Sequence, residues 1–307
     1  MLLKFAIKDF LADREFRNLR PDTVTSYRYT LDGFHDYCIK NSVVDTSGVT
    51  PATIKGYLLH CKKECANNPT SMNHKLRNLR VFFGYLESIE IITSKHNPST
   101  KVDYLKADVQ IEAFTEDHIR KMLGYYQRLK RRGSEFFAFR DYAIIITLLS
   151  TGMRIGELCN MKWSDIDTLN DVIKLRGKKR DQSTIPMVDK LKRELQEYHL
   201  FVDNIFGKSC EYVFTNKYNQ HLTPNAAKHI FQRLAEVMNF KDVRLSAHTF
   251  RHTFAVNMVM AGADAFTVQK LLRHSTLTMT LRYVHLYGQQ LAEKNNKYNP
   301  LNTMKID

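Results

Sequence analysis

The 307-residue sequence has no apolar stretch long enough to cross a bilayer. Its longest apolar run, Tyr142 to Leu149, is far shorter than the roughly 20 residues that a transmembrane helix needs. Lys4 and Lys8 interrupt the segment in which a signal peptide would be apolar. We therefore expect a soluble, cytoplasmic protein without a membrane partner.

The sequence also lacks the patterns of several kinds of chemistry. It has no P-loop, no paired carboxylates at two-metal spacing and no Cys/His metal cluster, so we expect no nucleotide cofactor and no metal. Its five cysteines form no paired framework, which is typical of a reducing compartment. They are Cys38, Cys61, Cys65, Cys159 and Cys210.

What the chain has in excess is positive charge. Lys and Arg number 46 against 32 Asp and Glu, giving a net charge of +14 and an isoelectric point near 9.5. Such a surface suits a polyanionic partner. The same balance would fit a ribosomal or membrane-surface protein, so the choice depends on motifs.

The first 98 residues are predicted to form four helices without a strand. Pro21 opens the second helix, and Thr50 caps the third with Pro51 in its first turn. The last helix carries three basic residues that are either a solvated face or a DNA contact, namely Lys75, Arg77 and Arg80. A polar connection over residues 99–113 follows. Beyond residue 114 we predict further helices and a short strand at residues 212–214.

The most informative stretch runs from Ser246 to His285. Ser246 is a predicted N-cap, so His248 and Arg251 share a face of the first helical turns and offer two donors to an anion. His274 follows a second predicted helix, and Tyr283 lies nine residues later on a third. His248 and His252 at i, i+4 would also suit zinc, but no Glu lies between them and no third ligand follows at metal spacing.

Upstream, the segment TGMRIGELCNMKWSDID supplies Arg154. With the later motifs H-x-x-R-H and L-x-x-H, and the tyrosine nine residues on, the chain resembles the tyrosine recombinase (phage-integrase) family. The resemblance implies that Glu157 supports the first arginine. It also implies catalytic roles for Arg154, His248, Arg251, His274 and Tyr283.

The family's catalytic lysine lies in a β-hairpin, and here the segment Val172 to Met187 has the apolar flanks of a hairpin. Lys178 follows a glycine as in the family and is the predicted lysine, with Lys179 as the alternative. There are two departures from the pattern. Arg273 stands where the family usually has glycine before the histidine, and Asp181 and Gln182 stand where a second basic residue is usual.

The predicted fold class is mainly α with a small β-hairpin (α+β). The resemblance implies an N-terminal four-helix core-binding domain at residues 1–98, a linker at 99–113 and a mixed α/β catalytic domain at 114–287. The tail, residues 288–307, is either a frayed terminus or, as in many members of the family, a segment that docks on a neighbouring subunit.

A phosphodiester transition state spreads negative charge over oxygens that arginines can grip through forked donors. The resemblance implies that a tyrosine attacks DNA to form a 3′-phosphotyrosyl link, without metal or ATP. The predicted function is therefore site-specific recombination or integration, such as that of a mobile element. The expected partners are double-stranded DNA with specific sites, a homotetramer on two sites and accessory DNA-bending proteins. A type IB topoisomerase and a catalytically silent DNA-binding protein are the alternatives.

Overall fold

The computed structural model describes residues 1–106, 111–132, 136–176 and 182–287. The described chain is mainly helical with one three-stranded sheet, so the predicted α+β class is confirmed. The chain divides into two compact units, Met1–Val109 and Gln110–Asp307, called unit 1 and unit 2 below. Within the described ranges, no helix combines the length and the apolar character that a membrane crossing requires.

Unit 1 contains four α-helices whose first turns follow the predicted signals. Pro21 opens the second helix, and Thr50 and Thr53 exchange side-chain and backbone hydrogen bonds in a capping box that opens the third. Asn68 caps the fourth. The helices are α1 (Leu3–Phe16), α2 (Pro21–Lys40), α3 (Pro51–Glu64) and α4 (Pro69–Ser88).

The core of unit 1 is built from edge-to-face aromatic pairs between these helices. The Phe10 ring lies 5.5 Å from that of Phe82, and the Phe34 ring lies 5.3 Å from that of Tyr57. The chain after α4 packs onto the same unit, since Ser99 and Val102 are buried although both fall within the predicted linker.

Unit 2 contains the remaining helices and the sheet. Its helices are α5 (Glu116–Arg132), α6 (Phe136–Thr151), α7 (Ile155–Cys159), α8 (Asp189–Phe206), α9 (Pro224–Met238), α10 (Ala247–Met260), α11 (Ala265–Leu272) and α12 (Leu277–Tyr287). Its strands are β1 (Ile166–Asp167), β2 (Val172–Arg176) and β3 (Gln182–Pro186), which pair antiparallel in the order β1, β2, β3. Ile173 pairs with Ile185 in the hairpin and with Ile166 in β1.

A strand predicted at residues 212–214 is wrong. This segment makes an isolated bridge between Tyr212 and Lys162 instead of joining the sheet. Its hydrogen bonds go to the loop after α7, where Val213 N donates to Met161 O at 2.9 Å. Val213 and Phe214 are buried in the core of unit 2 although they join no strand.

Two apolar clusters hold unit 2 together. The larger surrounds α6, which is the most apolar helix of the unit and is buried on most of its surface. The smaller joins α10, α11 and α12 through Val256, Val268 and Leu272, and it includes the ring of Tyr283. Because Tyr283 belongs to this apolar cluster, the packing of α12 fixes where its hydroxyl points.

Candidate active site

Helix α10 sets the positions of His248, Arg251 and His252. It begins at Ser246, whose hydroxyl accepts a hydrogen bond from the backbone N–H of Thr249 at 3.3 Å. His248 and His252 lie one turn apart with their ring centroids 4.1 Å from each other. Arg251, on the neighbouring strip of the same helix, points into the interior and is 4% exposed.

Arg251 is held by two backbone carbonyls. Its Nη1 donates to Gly152 O at 2.7 Å and its Nη2 to Leu272 O at 2.5 Å. Burial, together with the charges of the neighbouring Arg154 and Arg273, lowers the pKa of Arg251 to about 10. The guanidinium is therefore a desolvated cation whose orientation is fixed before any ligand arrives.

Gly152 permits this arrangement. Its φ of +57° is in the left-handed region, and a Cβ on it would lie 2.7 Å from Phe254 Cδ1 and 2.8 Å from Leu272 Cδ2. Glycine therefore allows the turn after α6 to approach α10 closely enough for its carbonyl to accept from Arg251.

Arg154 stands at the start of α7 and is paired with Glu157. Its Nη1 donates to Glu157 Oε1 at 2.8 Å, and its backbone N–H donates to Glu157 Oε2 at 2.8 Å. Its Nη2 donates to Arg273 O at 3.2 Å. With 46% of its side chain exposed, Arg154 is the more accessible of the two predicted catalytic arginines.

Glu157 remains a carboxylate in this setting. Burial opposes its ionisation, but the charges and hydrogen bonds of Arg273 and Arg154 outweigh burial and hold its pKa below the usual value. The predicted support of Arg154 by Glu157 thus has a geometric counterpart in the structure.

His274 follows α11 and is 8% exposed. Its Nδ1 is hydrogen-bonded to Thr280 Oγ1 at 2.8 Å, which fixes the ring relative to α12. Burial, together with the charges of Arg251 and Arg154, lowers its pKa to about 4. At neutral pH the imidazole is uncharged, so it can serve as a hydrogen-bond donor without adding a buried charge.

Tyr283 on α12 lies beside His274 and is 4% exposed. Its ring is parallel to that of His274, with the centroids 6.3 Å apart. Its hydroxyl is hydrogen-bonded to His252 Nδ1 at 2.7 Å. Burial raises the pKa of Tyr283, whereas the charges of Arg251 and Arg282 act in the opposite direction.

His252 is the residue of the site that sequence reasoning missed. Burial lowers its pKa to about 4, and His248 and Arg251 contribute in the same direction. Two sequence signals could have found it, namely its place as the last residue of the H-x-x-R-H motif and its spacing of four from His248. Within the described part of the chain, no three His, Cys, Asp or Glu side chains lie together as a metal site would require.

The structure brings Arg154, Glu157, Arg251, His274 and Tyr283 together through the contacts given above, and His248 joins them through the His252 ring. Lys178 and its alternative Lys179 lie outside the described residues.

The three basic residues of α4 differ from one another in unit 1. Arg77 is exposed, whereas Lys75 lies over the Tyr29 ring with its Nζ 4.8 Å from the centroid. Arg80 donates from Nη2 to Val102 O at 2.6 Å, and its guanidinium lies over the Tyr104 ring. Arg80 therefore stabilises the segment that follows α4.

Comparisons with known proteins agree with this geometry. A sequence model of the phage integrase family matches residues 112–290, which is more than half of the chain. A tyrosine recombinase XerC of Leptospira interrogans is 28% identical over 285 residues, covering 92% of this chain and 89% of that one. A tyrosine recombinase XerC of Thermodesulfovibrio yellowstonii is 29% identical, covering 91% and 90%.

Among solved structures, the Tn1549 transposon integrase in complex with transposon right end DNA has the same fold. The TM-score is 0.77 at 19% identity, covering 97% of this chain and 99% of that chain. The family model and the related sequences define a protein of the tyrosine recombinase class, which cleaves and rejoins DNA. The chain belongs to the phage integrase family, the family of the tyrosine recombinases.

Proposed function

We propose that this chain is a site-specific DNA recombinase in which Tyr283 attacks a DNA phosphodiester. The observation that carries the proposal is the buried Tyr283 hydroxyl, which lies 2.7 Å from a neutral histidine beside the fixed guanidinium of Arg251. A tyrosine placed only for packing also needs a partner for its hydroxyl, but it needs no buried cation beside it. Membership of the phage integrase family supports the same conclusion.

In the cleavage step a bond forms between Tyr283 Oη and phosphorus, and the bond from phosphorus to the 5′ oxygen breaks. The DNA is left with a 3′-phosphotyrosyl link and a free 5′ hydroxyl. Rejoining is the reverse reaction with a 5′ hydroxyl as nucleophile, so one ester replaces another without ATP. Lys178, the predicted proton donor to the leaving 5′ oxygen, remains a prediction from the hairpin pattern.

The proton of Tyr283 has a nearby acceptor in His252. Since burial lowers the pKa of His252 to about 4, its ring is neutral at pH 7 and keeps a free lone pair in one tautomer. An anionic phosphate in the pocket would favour protonation of the ring as the tyrosine attacks. His252 is thus the proposed acceptor of the tyrosine proton.

The charge of the phosphate is met by Arg154 and Arg251. Arg251 donates from Nη1 to the carbonyl of Gly152 and from Nη2 to that of Leu272, which orients its remaining N–H bonds. Preorganised donors of this kind stabilise the transition state because they need no rearrangement when charge develops. His248, which is exposed, and His274 supply further hydrogen bonds.

Unit 1 is proposed to bind DNA as a core-binding domain, and residues 288–307 to dock on a neighbouring subunit of a tetramer on two DNA sites. The four-helix architecture of unit 1 and its exposed Arg77 support the proposed DNA binding. We further propose that accessory DNA-bending proteins are partners of this chain and that it is located in the cytoplasm. A XerH recombinase of similar fold is described in complex with its difH substrate.

The test is to trap the covalent intermediate on DNA taken from both sides of the protein's own gene, with a nick that prevents rejoining. We expect the parent chain to form an adduct that survives denaturing electrophoresis. Tyr283→Phe should bind the same DNA and form none, because it lacks the attacking oxygen. Tyr287→Phe, one turn later on α12, is the matched control and should form the adduct.

An adduct in Tyr283→Phe would remove this residue from the reaction. Relaxation of supercoiled DNA without any sequence preference would favour the topoisomerase alternative, and binding without an adduct in the parent chain would favour the silent DNA-binding protein.

A further inference from the structure

Arg273 occupies a backbone position that favours glycine. It ends α11 with φ of +55° and ψ of 47°, in the left-handed region, and its N–H closes the helix by donating to Lys270 O at 3.1 Å. Left-handed helix ends are usually occupied by glycine because side chains other than glycine are strained there. The contacts of the arginine side chain must therefore offset the backbone strain at this position.

The side chain of Arg273 is nearly buried and points at Glu157. Only 13% of it is exposed, and its Nη2 donates to Glu157 Oε2 at 2.7 Å. Its Nη1 donates to Leu271 O at 2.8 Å, while its Nε has no hydrogen-bond partner among the residues that the structure describes. The contact with Glu157 is therefore the main compensation for burying this charge.

Arg273, Glu157 and Arg154 form a closed ring of hydrogen bonds. Arg154 donates from Nη1 to Glu157 Oε1 at 2.8 Å and from Nη2 to the carbonyl oxygen of Arg273 at 3.2 Å. Arg273 completes the ring through its own side chain on the second carboxylate oxygen. The backbone of Arg273 thus contacts Arg154 directly, and its side chain reaches Arg154 through Glu157.

We propose that Arg273 is a positioning residue, which holds Glu157 so that the guanidinium of Arg154 keeps a fixed orientation and an available charge in the phosphate pocket. The inference rests on the proposed function for its catalytic consequence. The proposed role belongs to the side chain of Arg273, since glycine would provide the same carbonyl without the bond to Glu157.

The charges around the ring support this role. A carboxylate paired with Arg154 alone would cancel much of the positive charge that the phosphate meets. Arg273 supplies a second cation to the same carboxylate, and its charge is the leading influence that keeps the pKa of Glu157 low against burial. One carboxylate is then shared by two guanidinium groups, which leaves net positive charge on the side of the exposed Arg154.

The experiment compares Arg273→Gly and Arg273→Lys with the parent in single-turnover cleavage at saturating nicked DNA. Glycine suits the left-handed backbone and keeps the carbonyl, so we expect Arg273→Gly to fold while cleaving about tenfold more slowly. Arg273→Lys keeps the charge and should recover part of the rate. DNA affinity of both variants should stay within about threefold of the parent, because the effect is on orientation.

Arg120→Ala is the matched control. It removes an Arg–Glu pair of similar length, between Arg120 Nη2 and Glu116 Oε1 at 2.8 Å, from a site where both side chains are mostly exposed. Its cleavage rate should equal that of the parent. Parent-like cleavage by Arg273→Gly, while Tyr283→Phe forms no adduct, would overturn the inference and leave the proposed function intact.

A double-mutant cycle with Glu157→Gln decides whether Arg273 acts through Glu157. If it does, Arg273→Gly should slow the Glu157→Gln variant by less than about twofold, because the carboxylate it holds has lost its charge. Independent, multiplicative slowing would overturn the inference. The same cycle measured by urea unfolding tests the ring without reference to catalysis, and additive effects on the unfolding midpoint would overturn it too.

Discussion

Unit 1 and unit 2 bury different kinds of polar group. In the described part of unit 1 the fully buried polar side chains are all neutral, and none belongs to Arg, Lys, His, Asp or Glu. Asn78 is typical of them, because its Nδ2 donates to Thr30 Oγ1 at 2.9 Å and needs no charged partner. The fully buried set of unit 2 includes Arg251 and His274.

The partners of a buried polar group separate structural from functional groups, because unit 2 also buries Arg140 and Asp141, which pair with each other at 2.7 Å. A neutral hydrogen-bonded pair such as Asn78 and Thr30 loses little on burial, so a helical core can contain it without strain. A buried guanidinium without a carboxylate partner, such as Arg251, or a histidine held neutral beside arginines is expensive to desolvate and persists where the surroundings are built for a ligand charge. The contrast predicts where a substitution reduces stability and where it reduces catalysis.

The largest expected effect comes from Arg251. Arg251→Ala should slow cleavage by about two to three orders of magnitude, the loss typical of removing one preorganised donor to a transition-state charge. It should also lower the free energy of unfolding by about 1–3 kcal/mol, because the carbonyls of Gly152 and Leu272 lose their buried donor. Single-turnover cleavage and urea unfolding measure the two effects.

Arg154→Ala sharpens this prediction. It should slow cleavage to a similar extent, but change stability by less than about 1 kcal/mol because its side chain is half exposed. Nearly parental cleavage by either variant would place that arginine outside the pocket.

The next effect concerns pH. The pKa of His252 is lowered to about 4 from 6.5, so between these values the unfolded chain binds a proton that the folded chain does not. The stability contribution is fully present above pH 6.5 and is lost as pH falls, at up to about 1.4 kcal/mol per pH unit. The groups around this ring are His248, Arg251 and Tyr283.

His252→Asn should therefore reduce the slope of unfolding free energy against pH between 6.5 and 4. The reduction should be at most about 1.4 kcal/mol per pH unit, which corresponds to one proton. His96→Asn in unit 1 is the control, since His96 is an exposed histidine. Identical slopes for the parent and His252→Asn would mean that His252 is not held neutral by its surroundings.

Unit 1 provides the opposite case. Asn78→Ala should lower the free energy of unfolding by about 1–3 kcal/mol, because Thr30 and Ser26 lose a buried partner. Cleavage at saturating DNA, at a temperature where the variant is folded, should match the parent rate. A slowing comparable to that of Arg251→Ala would break the division between the two units.

The smallest effect separates Arg77 from Arg80 on α4. If the exposed Arg77 contacts a phosphate, Arg77→Ala should reduce the slope of log affinity against log salt by about 0.9. Arg80→Ala should instead destabilise unit 1, because Arg80 is already bonded to Val102 O. Salt titrations of DNA binding check the first outcome, and an unchanged slope for Arg77→Ala would remove that residue from the DNA surface.

Local signals predicted the elements of the fold well. The cap at Ser246, the proline at the start of α2 and the Thr50 capping box all lie where the sequence places them. The segment at 212–214 shows the limit, because its run of apolar residues indicates burial and does not indicate which backbone groups it pairs with. Helix signals lie within a short stretch of sequence, whereas strand pairing depends on residues that are far apart in the sequence.

The candidate site divides in the same way. The order and spacing of Arg154, His248, Arg251, His274 and Tyr283 are present in the sequence, and the family resemblance supplied their expected roles. The hydrogen bond from Tyr283 to His252 was not predicted, since it spans 31 residues and depends on how α12 packs against α10.

The sequence by itself determined the helices, the mainly α class, the basic character and the family, because capping, periodicity, composition and motif spacing are properties of short stretches. Only the tertiary structure decided that His252 meets the tyrosine, that Arg251 is bound by two carbonyls and that Arg273 shares Glu157 with Arg154. These contacts join residues from different helices, and burial there sets the protonation of the histidines. Neither the meeting of distant side chains nor their desolvation is a property of any short stretch of chain.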